Sequence, residues 1–171
     1  MRSLMIVTVC AVFALSAFAA DAPKPAHSDM FLSHWKTAGD YTVAIAEQMP
    51  AESYGFKPVP EEMSFAEQLV HIVQANTYFL STLTGDKSPL EKPASLDKDT
   101  VVKFVRASFD WSNAEVAKLT EEEIQKSYTI EGQSMSGHEM LMLAWNHTTH
   151  HRGQLIVYLR LKGIKPADYK F

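Results

Sequence analysis

At three predicted helix starts along this chain a serine or threonine is followed three residues later by glutamate: Ser64-Phe65-Ala66-Glu67, Thr120-Glu121-Glu122-Glu123 and Ser136-Gly137-His138-Glu139. In such a capping box the hydroxyl accepts the backbone N–H three positions on, and the carboxylate reaches back to the N–H of the hydroxyl residue. Two of the donors that every helix start leaves unpaired are thereby satisfied. A chain with three such starts is committed to helices, and the apolar spacing around them agrees.

The first helix is predicted over residues 28–49, where Phe31, Trp35, Ala38, Thr42, Ile45 and Met49 recur at helical spacing before Pro50 ends the pattern. Ser64 opens the second, which runs to Thr82. Gly85, Pro89 and Pro93 then interrupt, and Asp97 opens a third over residues 98–119. Thr120 starts one short extra turn. Ser136 opens the fourth helix, with Met135 and Met140 placed as a hydrophobic staple, and Gly163 followed by Pro166 stops it after Leu161 or Lys162. No stretch shows convincing strand alternation. The expected fold class is therefore all-α, and a four-helix bundle is the economical way to bury four such faces. With 171 residues the chain is one domain in size, able to bury roughly two thirds of its unfolded surface.

The N-terminus has a different character. Met1 and Arg2 precede a nearly uninterrupted apolar run from Leu4 to Leu15, and Ala17-Phe18-Ala19 has the small-x-small pattern of a signal-peptidase site. Residues 1–19 are expected to be a signal peptide, 20–27 a linker containing Pro23 and Pro25, and 28–171 the helical domain. An uncleaved anchor is the alternative, since residues 3–20 carry no charge. Cleavage implies a periplasmic or extracellular protein without a membrane segment. The single cysteine, Cys10, falls in the removed part, which excludes disulfides, thiolate catalysis and cysteine-held zinc. A net charge of -4, with no basic run, argues against nucleic-acid binding.

The fourth helix carries the chemistry. Its segment Asn146-His147-Thr148-Thr149-His150-His151-Arg152-Gly153-Gln154 places three of the chain's 7 histidines within five residues. On a helical projection His151 lies about 40° from His147, with Tyr158 between them, Gln154 about 20° to the other side of His147, and Met140, Leu143, Ala144 and Leu155 on the same side. His150 lies on the edge of that stripe and Arg152 on the far side, where a solvated or carboxylate-paired arginine is expected. Two inward imidazoles need partners for their polar nitrogens. Either carbonyls and hydroxyls satisfy them, or one metal ion binds both, since an i, i+4 pair can reach the same ion. A third ligand must then come from another helix; His71 in the second and His34 in the first both qualify by position.

The run HTTHHRGQLIVYLRLKGIKP, together with YGFKPVPEEMSFAEQLVHIVQAN from Tyr54 to Asn76, resembles the signature of the DinB family of bacterial metal-binding helical proteins. The resemblance extends over residues 29–166. It implies an up-down-down-up bundle with a long crossover between helices 2 and 3, and a metal held by one histidine of helix 2 and two of helix 4, here His71, His147 and His151. Homodimers are also implied.

Three neutral imidazoles leave a divalent ion its full charge and an open position, the arrangement of a catalytic zinc site, with nickel and iron(II) as alternatives to Zn2+. Such an ion lowers the pKa of water, polarises a carbonyl or holds a thiolate. The expected activity is hydrolysis of a small-molecule substrate, because export separates the protein from cytosolic thiols. The alternatives are a thiol-dependent transferase or isomerase, or a non-catalytic metal or ligand binder. Gln154, Tyr158 and Glu67 are candidate supports for the ligands, and Gly153 predicts close helix packing beside them. His138-Glu139-Met140-Leu141-Met142 lacks the second histidine of a zinc-protease motif, and no inward glutamates support a di-iron site.

Overall fold

The computed structural model describes residues 26–170, with side-chain surroundings from residue 29, so the expected signal peptide and most of the linker lie outside the described residues. The chain is predominantly helical. In order it forms α1 (Ala26–Gln48), a 3-10 turn (Ala51–Ser53), α2 (Phe65–Thr84), α3 (Lys98–Lys118), α4 (Glu121–Gln125), a hairpin of β1 (Ser127–Ile130) and β2 (Gln133–Ser136), and α5 (Gly137–Leu161). All three capping boxes form as the sequence dictates, at Ser64, Thr120 and Ser136. Asp97 caps α3 by accepting from Thr100 N at 3.0 Å. Gly85 ends α2 in the left-handed conformation at φ 77°, which glycine adopts without a Cβ penalty.

Helix α1 packs on α3 and α5, and α2 packs on the same two partners. Between them lies a core in which Trp35, Ile45, Phe65, Leu69, Ile72, Leu155 and Leu159 are fully buried. The Trp35 ring lies against Phe31 and Phe109, with centroids 5.7 and 5.6 Å away. The α5 start is pinned against α4: a Cβ on Gly137 would meet Glu123 O at 2.4 Å and Ile124 Cα at 3.0 Å. Both are backbone atoms, so only glycine fits there.

The expectation of no strands is corrected by the hairpin. Tyr128 pairs with Met135 and Ile130 with Gln133 across a two-residue loop, Glu131-Gly132, whose φ angles are 50° and 79°. Positive φ at both loop positions is the twist that a tight hairpin requires. Each strand has four residues, too few to display alternation. Ile130 alone among the strand residues is fully buried, and its burial ties the hairpin to the core. Among the described residues, no helix is long and apolar enough to cross a membrane.

Candidate metal centre

The capping box at Ser64 sets where α2 begins, and seven residues later the helix delivers His71 to the side facing α5. From α5, His147 and His151 project one turn apart toward the same point. The candidate ligand atoms of these three residues all lie within 4.8 Å of one another. His71 Nε2 and His147 Nε2 face each other at 3.1 Å, near the ~3.4 Å expected for two nitrogens on one tetrahedral ion with bonds of about 2.05 Å. The ring centroids are 4.9 Å apart for His71 and His147, 4.6 Å for His71 and His151, and 4.4 Å for His147 and His151. His151 is buried, and the other two are half-buried.

A residue absent from the sequence-based candidates supports one of the candidate ligands, His151. Gln68, only 1% exposed, donates through Nε2 to Gln154 Oε1, which leaves its Oε1 to accept from His151 Nδ1 at 2.5 Å. His151 therefore carries its proton on Nδ1 and turns the Nε2 lone pair to the centre. Gln154 in turn places its Nε2 2.9 Å from His150 Nε2, so a polar chain runs from the buried His151 to an exposed histidine. One turn separates Gln68 from His71 on α2; a polar residue at that spacing, inside an otherwise apolar face, was the available signal. Deeper in the same interface Asn76 Nδ2 donates to Thr148 Oγ1 at 3.0 Å.

The donor set fits a cation. Three imidazoles converge, and two of their nitrogens face one another. Burial first, and the imidazoles of His71 and His150 second, push His147 down to about 4 from 6.5. Burial and then His147, His71 and His150 push His151 down to about 4 as well. Both are thus unprotonated and available as ligands at neutral pH.

A consequence follows for protein stripped of metal. The unfolded chain takes up protons on these two residues near pH 6.5, whereas the folded chain resists until about pH 4. Stability is therefore fully present above pH 6.5 and falls as the pH drops toward 4. The melting temperature of chelator-treated protein is expected to decline between pH 7 and 4.5. A flat profile across that window contradicts the burial of these imidazoles.

The other candidates are placed elsewhere. His34 is exposed on α1, set edge-on against Trp145 with centroids 5.6 Å apart, and is not part of the cluster. His150 is likewise outside it. The Tyr158 hydroxyl donates to Met63 O at 2.9 Å. Glu67 accepts from Ser64 N at 2.7 Å and pairs with Lys57 at 3.2 Å, and these hydrogen bonds hold its carboxyl below the usual range. Beside His71 opens a cavity of about 270 Å³, lined by Met63, Glu67, Val70, Gln74, Lys92 and Leu96. Lys92 and Leu96 come from the segment joining α2 to α3.

Two expectations are corrected. Gly153 is exposed, and a Cβ there would meet nothing within 4 Å, so it mediates no close packing. The Gly153→Ala substitution is expected to stabilise the helix by up to about 1 kcal/mol, raising the melting temperature by roughly 2–4 °C with metal content unchanged. A loss of stability in thermal unfolding contradicts the open surroundings. Arg152 is not a surface residue. It is 5% exposed and donates to Ala38 O at 3.2 Å and to Thr42 Oγ1 and Thr149 Oγ1 at 3.4 Å. Its position opposite the histidines on α5 places it against α1 rather than in water.

The chain is similar to known proteins over most of its length. The DinB family model matches residues 24–171. YjoA of Bacillus subtilis is 26% identical over 140 residues, covering 80% of this chain and 91% of YjoA. YrdA of the same organism is 24% identical over 142 residues, covering 80% and 83%. The crystal structure of the DinB-like YjoA superposes with a TM-score of 0.71, covering 82% of this chain and 96% of that one. A DinB-like protein from Bacillus cereus superposes at 0.74 with 22% identity, covering 83% and 97%.

Proposed function

The chain belongs to the DinB family, and on that premise we propose that it is an exported, metal-dependent hydrolase whose ion is held by His71, His147 and His151. The observation that carries this reading is the pairing of a three-histidine cluster with a cavity that reaches one of its members. Neither His34 nor His150 closes the site as a fourth ligand, so a position remains for water or substrate.

Zinc is the proposed ion, with nickel and iron(II) next, because imidazole donors discriminate weakly among them. When bound, a divalent ion there supplies Lewis acidity toward a carbonyl and toward water. The chain's own residues do the rest. His71 and His147 hold opposite sides of the site, Gln68 keeps the His151 proton on Nδ1, and the cavity beside His71 admits a small substrate. Its volume of about 270 Å³ lies just under the range of drug-sized pockets, which favours a compact ester or amide.

Export is supported by the apolar run from Leu4 to Leu15 and by Ala17-Phe18-Ala19. The fold is read as the up-down-down-up bundle of DinB-like proteins, with residues 85–97 as the crossover. Its support is that α1 and α2 each pack on both α3 and α5.

The test is turnover of a panel of small esters and amides by purified protein, before and after removal of metal with a chelator and after zinc is restored. Activity that disappears and returns with the ion supports the hydrolase. Stoichiometric metal without turnover of any ester or amide contradicts it and favours a binding protein. Turnover only of thiol conjugates also contradicts it and favours a thiol-dependent transferase.

A further inference from the structure

Arg152 is a buried cation that no carboxylate among the described residues neutralises. Its guanidinium offers five N–H donors, and the hydrogen bonds it makes go to Ala38 O at 3.2 Å and to the hydroxyls of Thr42 and Thr149 at 3.4 Å. All are neutral acceptors at long range for N–H···O bonds. The guanidinium also lies over the Tyr41 ring, 5.0 Å from its centroid. Among the described residues no aspartate or glutamate forms an ion pair with it. Burying an arginine this deeply is costly unless an anion meets it.

The surroundings provide room for one. Arg152 lines a cavity of about 210 Å³ together with Thr37, Thr149 and Lys170. A second cavity of about 220 Å³ adjoins it, walled by Met30, Phe31, Leu141 and Met142. His34 and Trp145 border both. Met30 and Met142 are 60% and 47% exposed, so the apolar trough opens to solvent. One end is therefore cationic and hydroxyl-lined, and the other is apolar. The helical projection turns Arg152 about 100° away from His151, toward α1 and not toward the α2 side that holds His71.

We infer that this α1–α5 cleft is a binding site, separate from the metal centre, for an amphipathic organic carboxylate. The head group meets Arg152 and Lys170, with Thr37 and Thr149 as hydroxyl partners. The hydrocarbon lies along the trough past Trp145 toward Met30 and Met142. The site supplies the charge that Arg152 lacks and covers apolar surface that the chain leaves exposed.

Calorimetric titration of the purified protein with dodecanoate tests the inference. Dodecyltrimethylammonium serves as a ligand with the same tail and opposite charge, and acetate as the head group alone. Dodecanoate is expected to bind one to one, at least about 10-fold more tightly than either control, the factor that one lost charge-assisted contact implies. Arg152→Met and Lys170→Glu should each weaken it by a similar factor, Met142→Glu should weaken it too, and His147→Ala should leave it unchanged. If Arg152→Met does not fold, Lys170→Glu and Met142→Glu decide. Equal binding of the cationic and anionic amphiphiles overturns the inference, as does no dodecanoate binding up to its solubility limit. Loss of binding in His147→Ala overturns it as well, because the carboxylate would then sit at the metal centre.

Discussion

Replacing His147 by alanine is expected to strip the protein of its metal. Wild-type protein purified without chelator should carry roughly one divalent ion per chain, as a three-imidazole site allows, and the variant should carry a small fraction of that. The expected loss of affinity is at least about 100-fold, since even residues that only orient a ligand are worth 10–100-fold. Three observations place the loss here. His147 Nε2 faces His71 Nε2 at 3.1 Å, so removing it leaves two donors on different helices. His34 is committed to an edge-on contact with Trp145, and His150 meets Gln154, so neither replaces it. The helical fold should survive, because His147 is half-buried, and circular dichroism checks that. Elemental analysis reads the metal directly. A variant that keeps stoichiometric metal would falsify the ligand assignment, whereas His34→Ala and His150→Ala should keep it. Added zinc should raise the melting temperature of wild type and not of the variant, because only the state that binds the ion is stabilised.

Gln68→Met is expected to weaken metal binding by about 10–100-fold while leaving all three histidines in place. Methionine has nearly the length of glutamine but neither amide group, so the volume is kept and the polarity is lost. His151 Nδ1–H then has no acceptor, and Gln154 Oε1 loses its donor. The imidazole is free to flip or to move its proton to Nε2, and in either state it is a poorer ligand. Competition titration against a chromogenic chelator measures the change. Unchanged affinity would mean that packing alone orients His151, with the amide chain to His150 serving no part in holding the ion.

The parts of this protein that were legible in the sequence share a property: they depend on residues a few positions apart. The capping serines and threonines, the glutamates three residues on, Pro50 and the glycines that end helices act locally, and the helices begin and end within a few residues of the expected positions. The facing of His147 and His151 was legible for the same reason, since an i, i+4 pair shares a side of any helix. The hairpin was missed because Tyr128-Thr129-Ile130 is short and its loop uses Glu131 rather than asparagine or aspartate ahead of Gly132. Arg152 was misread because a far-side residue is exposed only if no helix covers that side, and α1 covers it. Gly153 was misread in the opposite sense: α5 leaves it facing solvent.

The sequence alone determined that the chain would be helical, where its helices would start, and which two histidines would stand side by side on the last of them. Tertiary structure decided which helix supplied the third imidazole, that Gln68 would hold the His151 proton on Nδ1, and that Arg152 would be enclosed by α1. Those outcomes depend on how helices are rotated and spaced across separations such as the 76 positions from His71 to His147. That rotation is a property of the whole packed core and not of any local run.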